Sequence, residues 1–289
     1  MGRWKLAVGV LIVLAIAFWD FRPTGQSDAS GTTSSPTTSA SPSASPTPPV
    51  PTVPGALKPE GTPEFTADFS GSKLDRSVWD TCYPYLSQSG CQNFGNTEET
   101  EWYLPSQVKV GGGMLQLIAE RRPTAGTNAT GGPKQYDCRS GMVTSHPGFN
   151  FEYGYVQVVA RIPPNNGLWS AFWLAASNYS WPPEMDMIEE WGDGFHAGSF
   201  FHAYPRTVAS YKGLIMPYVR ATGWHTFALS WTKHQLTFFM DGKVTLLVRS
   251  RIPHLKMYLI ANVADFEPIG GANQCSGTMY IKSIEVWKR

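Results

Sequence analysis

Residues 181–194 read WPPEMDMIEEWGDG and crowd Glu184, Asp186, Glu189 and Glu190 into one short stretch, with Asp193 close behind. The chain is only 16% charged, and neighbouring like charges repel, so the crowding costs stability unless some chemistry uses it. Side chains on a strand alternate faces, which puts Glu184 and Asp186 on the same side. Glu189 joins them only if a β-bulge near Met187–Ile188 inserts one extra residue. Without the bulge, Glu190 joins them and Glu189 turns away. With it, four effective residues at about 3.4 Å place the outer glutamate backbones roughly 13 Å apart. If each glutamate leans roughly 4 Å toward the other, the carboxylates lie about 5–5.5 Å apart, a gap at which one attacks an acetal carbon while the other moves the leaving-group proton. The central Asp186 would hydrogen-bond the attacking glutamate, and its charge would help keep the other one protonated. Three other uses of such a cluster stay open on spacing alone: a solvated strand edge, a calcium site, and the acidic floor of a binding-only lectin. Flanking Trp181, Met185, Met187 and Trp191 favour a partly buried setting over the first, and the loop spacing of the familiar calcium sites is missing.

The elements that must hold these residues read as strands. GMLQLIAE (113–120), YGYVQVVARIP (153–163), HTFALSW (225–231), LTFFMDGKVTLLV (236–248), MYLIANVA (257–264) and MYIKSIEVW (279–287) are rich in β-branched and aromatic residues at strand length. Asp241-Gly242 between two apolar runs is a hairpin signal. No stretch carries a sustained helical period. These patterns predict one antiparallel β-sandwich or barrel.

Three segments divide the chain. Arg3 and Lys5 precede an apolar run from Leu6 to Trp19, and Ala15-Ile-Ala17 resembles a small-residue cleavage site. Residues 1–26 are therefore expected to be a signal peptide or, left uncleaved, a membrane tether through residues 6–19. Residues 27–63 are dominated by Ser, Thr, Pro, Ala and Gly and cannot bury enough apolar surface to offset their ordering entropy, so they read as an extended linker. Residues 64–289 carry the folded domain. An exported, extracellular chain, secreted or tethered to the outer face of the membrane, makes the four cysteines readable as disulfides. The expected pairs are Cys82–Cys91, a short local loop, and Cys138–Cys275, tying the middle of the chain to its end. A zinc site lacks the CxxC and histidine spacing it would need. The net charge of +1 gives no pull toward nucleic acid or an anionic membrane. Aromatic residues make up 13% of the chain, with 11 Trp, a composition suited to stacking on uncharged sugar rings.

The motif and its surroundings resemble a known family. EMDMIEEWG looks like the E-x-D-x-x-E signature of glycoside hydrolase family 16 in its laminarinase-like, bulged form. EFTADFSGSKLDRSVWD (64–80), EETEWYLPSQVKVGGGMLQLIAE (98–120), RSGMVTS (139–145), YGYVQVVARIPPNNGLWSAFWL (153–174), WHTFALSW (224–231), FFMDGK (238–243) and IKSIEVW (281–287) keep the family's order. The resemblance implies an all-β fold, an antiparallel β-jelly-roll sandwich (concanavalin A-like) with a concave open cleft. It implies a retaining, endo-acting hydrolase of β-linked polysaccharide, with β-1,3-glucan or mixed-linkage β-1,3-1,4-glucan as substrate. A transglycosylase, a galactan-directed hydrolase and a non-catalytic binding protein share the same fold. Carried over by position, Glu184 resembles the nucleophile, Asp186 the supporting carboxylate and Glu189 the acid/base, which makes Glu190 dispensable.

Other positions are ambiguous. Trp169 and Trp173 share one face of GLWSAFWL, and the resemblance places them in the cleft. Trp102 is either a cleft residue or a loop-anchoring core residue. His202 is either a cleft histidine or a buried structural one. Asn262 interrupts an apolar strand and bonds either a sugar or a loop backbone. No cofactor is expected. Many relatives hold a structural calcium with an Asp of the last strand. Lys282 stands at that position here, and an ammonium repels calcium. The expected partner is polysaccharide, met by a monomer.

Overall fold

In a computed structural model of the chain, residues 58–84, 99–128, 131–163, 167–190, 197–203, 211–212, 223–265 and 275–288 are described, the pair 211–212 by backbone alone. The leader, most of the linker, Cys91, Trp191 and Asp193 lie outside the described residues.

Alternation builds one layer. In β7 (Gly154–Arg161), Val156, Val158 and Ala160 are buried in the main core while Gln157, Val159 and Arg161 are half-exposed on the other side. The same period sends Leu115 and Leu117 of β4 (Leu115–Thr127) inward. It does likewise for Phe227, Leu229 and Trp231 of β12 (His225–Trp231), and for Ile281, Ile284 and Val286 of β16 (Ser276–Trp287). With β2 (Glu101–Tyr103), β5 (Pro133–Ser140), β13 (Leu236–Met240) and β14 (Lys243–Val248), they form a sheet in the order β14-β13-β12-β7-β16-β4-β5-β2. Two short strands pair with interior strands of this sheet: β1 (Phe65–Ala67) with β16, and β3 (Val108–Val110) with β4. Asp241 and Gly242 both take positive φ, 48° and 76°, and link Met240 to its partner Lys243, the two-residue turn that the Asp-Gly pair predicts.

The second sheet runs β11-β10-β9-β8-β15-β6, from β11 (Tyr211–Lys212), β10 (Ala197–His202), β9 (Glu184–Glu190), β8 (Leu168–Ala176) and β15 (Met257–Asp265) to β6 (Met142–Thr144). Phe172 and Leu174 of β8, Met185 and Ile188 of β9, Phe201 of β10, and Leu259, Ala261 and Val263 of β15 face the first sheet and complete the core. Face-to-face burial of two alternating sheets is the β-sandwich solution. The opposite face of the second sheet is left to carry the site. Among the described residues no helix is long and apolar enough to cross a membrane.

Cys138 of β5 is joined to Cys275, which leads into β16, with Cα atoms 5.7 Å apart across 137 residues of sequence. Cys82 is also disulfide-bonded, and its expected partner Cys91 lies outside the described residues. Closing so long a loop restricts the unfolded chain strongly. Replacing Cys138 and Cys275 together by serine is expected to lower the melting temperature by about 5–15 °C in calorimetry, from a loss of about 2–5 kcal/mol. An unchanged Tm would contradict that assignment of stability.

Candidate active site

The register of β9 decides which carboxylates meet. Against β8, Ala175 pairs with Glu184, Trp173 with Asp186, Phe172 with Ile188 and Ala171 with Glu189, so Met187 is the extra residue of a β-bulge. The β10 partners are His202 for Glu184, Phe200 for Asp186 and Gly198 for Glu189. The Ser199 hydroxyl donates to the carbonyl of Met187 at 3.0 Å and also meets the Thr245 hydroxyl at 2.8 Å, giving the bulged backbone a fixed partner. Met187 and Ile188 both enter the core. Glu184, Asp186 and Glu189 therefore stand on the outward face. Glu190 pairs with Ser170 and Ala197, turns to the other side, and is buried there. Ala171 and Gly198 flank Glu189 on its two neighbouring strands, and their small size leaves room above it.

Each carboxylate has a distinct environment. Glu184 accepts a hydrogen bond from the Trp181 indole at 2.8 Å, and His202 Nε2 lies 3.6 Å from Glu184 and 3.6 Å from Asp186. The indole ring of Trp181 lies 5.8 Å from the His202 ring. Asp186 is 1% exposed. Burial, then the charges of Glu184 and Glu189, push its carboxyl well above the usual range, and the protonated group becomes a donor to Glu184. Burial comes first for Glu189 too, followed by the Glu184 charge and, more weakly, Glu99. Against the pull of the Trp169 indole, these push Glu189 up to about 8. The result is Glu184, oriented by the Trp181 indole, beside two carboxyls shifted toward their protonated forms, the separation of roles that acid–base and nucleophilic work on one bond requires.

The remaining expected residues fall into two groups. Trp169, Trp173, His202 and Asn262 lie on the carboxylate face, by register with β9, β8 and β15. Asn262 has side-chain partners: it accepts from the Trp173 indole at 2.8 Å and donates to the Tyr103 hydroxyl at 3.0 Å. Trp102 turns to the other side of β2 from Tyr103. Its ring lies 5.2 Å from that of Tyr136 and directly over Gly126, where even a Cβ would collide with it, so the structure gives Trp102 the anchoring place and not the cleft place. Reading the sequence missed Trp181 as a direct partner of Glu184 and used it only as a sign of burial. Its position three residues ahead of Glu184, in WPPE, was the available signal. Tyr103 and Glu101 were also missed, being contributed by β2, far from the motif in sequence.

The calcium that the family resemblance implies does not fit the last strand here. Lys282 is the extra residue of an irregularity in β16, and its ammonium sits 4.1 Å over the Trp224 ring, offering a charge of the wrong sign and no oxygen ligand. Glu184, Asp186 and His202 present ligand atoms within 4.8 Å of one another, but two of them are the carboxylates placed to react.

A two-sheet sandwich with paired acids on its open face defines the class of β-sandwich glycosidases. The family profile of glycosyl hydrolases family 16 matches residues 98–263, and the chain belongs to that family. It is 28% identical over 226 residues to endo-1,3-1,4-beta-glycanase EglC of Rhizobium meliloti (strain 1021), covering 73% of this chain and 46% of that protein. A second relative of the same organism, endo-1,3-1,4-beta-glycanase ExsH, is 29% identical over 200 residues, covering 65% of this chain and 42% of ExsH. The chain thus spans less than half the length of these curated relatives. In fold it is similar to the laminarinase catalytic domain of Thermotoga maritima MSB8, with a TM-score of 0.66 and 22% identity over 79% of this chain and 98% of that one. The sandwich is accordingly the family's jelly roll.

Proposed function

We propose that the protein is a retaining, endo-acting glycoside hydrolase of β-1,3-glucan or mixed-linkage β-1,3-1,4-glucan. The observation that carries this reading is the bulge at Met187, which turns Glu184, Asp186 and Glu189 to one open face. Glu184 attacks the anomeric carbon from the face opposite the leaving sugar. Glu189 gives its proton to the glycosidic oxygen as that bond breaks, leaving a sugar ester on Glu184. Glu189, now a carboxylate, takes a proton from water, whose oxygen displaces Glu184 and restores the β configuration. Asp186 donates to Glu184 whenever the nucleophile carries charge. Trp169 and Trp173, 9% and 6% exposed, form a nearly buried floor beneath the sugar.

The 1,3-1,4-glycanase names of the two relatives support the substrate class. The leader pattern and the Ser/Thr/Pro-rich linker support export, with the catalytic domain released or held by a tether through residues 6–19. Laminarin and mixed-linkage glucan should both yield new reducing ends, with oligosaccharides of mixed length early in the reaction and a β-anomer first in NMR. Binding of both polymers without cleavage, or a first product of the α configuration, would overturn the proposal.

A further inference from the structure

A line of hydrogen bonds runs from the buried strand β2 to the floor of the cleft. Glu101 and Tyr103 of β2 are both 0% exposed. Across 159 residues of sequence, the Tyr103 hydroxyl accepts from Asn262 Nδ2 at 3.0 Å, and Asn262 Oδ1 accepts from the Trp173 indole N–H at 2.8 Å. Glu101 stands two residues before Tyr103, on the same face of β2. Glu101 in turn accepts from the Asp265 backbone N–H at 2.7 Å. Thr100 grips the same end of β15: its N–H donates to the Asp265 carbonyl at 2.8 Å and its hydroxyl to the Asp265 carboxylate at 2.6 Å. The two sets of bonds end on the same strand, β15, at Asn262 and at Asp265. By register, Asn262 lies opposite Ala171, which lies opposite Glu189, while Trp173 lies opposite Asp186.

We propose that Tyr103 is a positioning residue of the glucan cleft: through Asn262 it pins the indole of Trp173 beside the catalytic carboxylates. A buried acid and a buried phenol are costly residues for packing alone, since each must be hydrogen-bonded to offset its desolvation. Aliphatic residues would fill the same place without that demand. The polar line supplies a directional hold on an indole ring, which apolar packing does not. A ring held through its N–H loses little rotational freedom when a sugar settles on it, so the gain appears as affinity. Burial, followed by the charge of Glu99, keeps the Glu101 carboxyl well above its usual range, so a neutral amide should serve in its place.

The inference rests on the reading of the face as a glucan cleft, and the test separates the two. Wild type, Tyr103→Phe, Glu101→Gln and Trp173→Ala are compared by laminarin kinetics, by thermal melting and by hydrogen exchange of the Trp173 indole N–H in NMR. Tyr103→Phe should raise KM about three- to tenfold with kcat within about twofold, and should speed indole exchange without loss of cooperative melting. Glu101→Gln keeps an acceptor for the Asp265 N–H and leaves the Tyr103–Asn262 bond in place, so KM and exchange should stay near wild type; a shift as large as that of Tyr103→Phe would overturn the assignment of the hold to Tyr103. Trp173→Ala should raise KM at least as much as Tyr103→Phe. An unchanged KM and unchanged indole exchange in Tyr103→Phe overturn the positioning role. Unchanged KM in Trp173→Ala with faster indole exchange in Tyr103→Phe overturns instead the placement of sugar on Trp173 and leaves the mechanical link standing.

Discussion

Replacing Glu184 by alanine is expected to lower kcat on laminarin by about 10⁴-fold or more while KM stays in the same range. The size follows from what is removed. No other described side chain on this face combines a carboxylate with hydrogen bonding from Trp181 on one oxygen and His202 Nε2 at 3.6 Å from the other. Asp186 cannot substitute, because burial and its charged neighbours keep it protonated. The same variant carries a stereochemical signature. With a β-glucoside bearing a good leaving group, added azide enters the space that the missing carboxylate vacates and attacks once, giving the α-glycosyl azide. Azide offered to a Glu189→Ala variant instead resolves the ester on Glu184 and gives the β-glycosyl azide. If the two variants gave azides of the opposite configurations, the nucleophile and acid/base assignments would have to be exchanged. If Glu184→Ala kept activity within tenfold, neither assignment would stand.

What the sequence disclosed follows the distance over which its signals act. The three carboxylates lie within one strand, so a period of two plus one inserted residue accounts for their common face, and Met187 is that residue. Strands such as β7 and β12 show their buried face residue by residue for the same local reason. The Asp241-Gly242 turn also requires only its own backbone geometry. The partners of Asn262 could not be read this way. Its amide spans Trp173 and Tyr103, 89 and 159 residues away, and no local pattern records which strands become neighbours across a sandwich. Trp102 was ambiguous for a related reason. Its fate depends on β2 pairing parallel to β5 in a sheet whose other pairings are antiparallel, which lays the ring over Gly126 and beside Tyr136. The choice between Glu189 and Glu190 sat between these cases. The motif contained both options, and the register with Ala171 and Gly198 selected one.

That selection has the second large consequence. Glu189→Gln is expected to lower kcat about 10²–10⁴-fold on polysaccharide, where the leaving alcohol needs a proton, whereas Glu190→Gln should keep kcat within about threefold. The pH profile should show the same division. Glu189 must carry its proton to act as the acid, and burial beside the Glu184 charge raises it to about 8, so wild-type activity should fall as pH rises through about 8. In Glu189→Gln the residual activity should lose that alkaline limb, because the group that titrated there is gone. Stability gives an independent reading of the same proton. A carboxyl raised from about 4.3 in the unfolded chain binds its proton more tightly when folded, so its contribution is fully present below about 4.3 and is lost as pH rises toward the folded value. Melting temperature measured between pH 4.5 and 8 should therefore decline less steeply for Glu189→Gln than for wild type. The reverse pattern, with Glu190→Gln inactive, flattened and lacking the alkaline limb while Glu189→Gln resembles wild type, would place the acid on the core-facing side of β9 and remove the bulge from the mechanism.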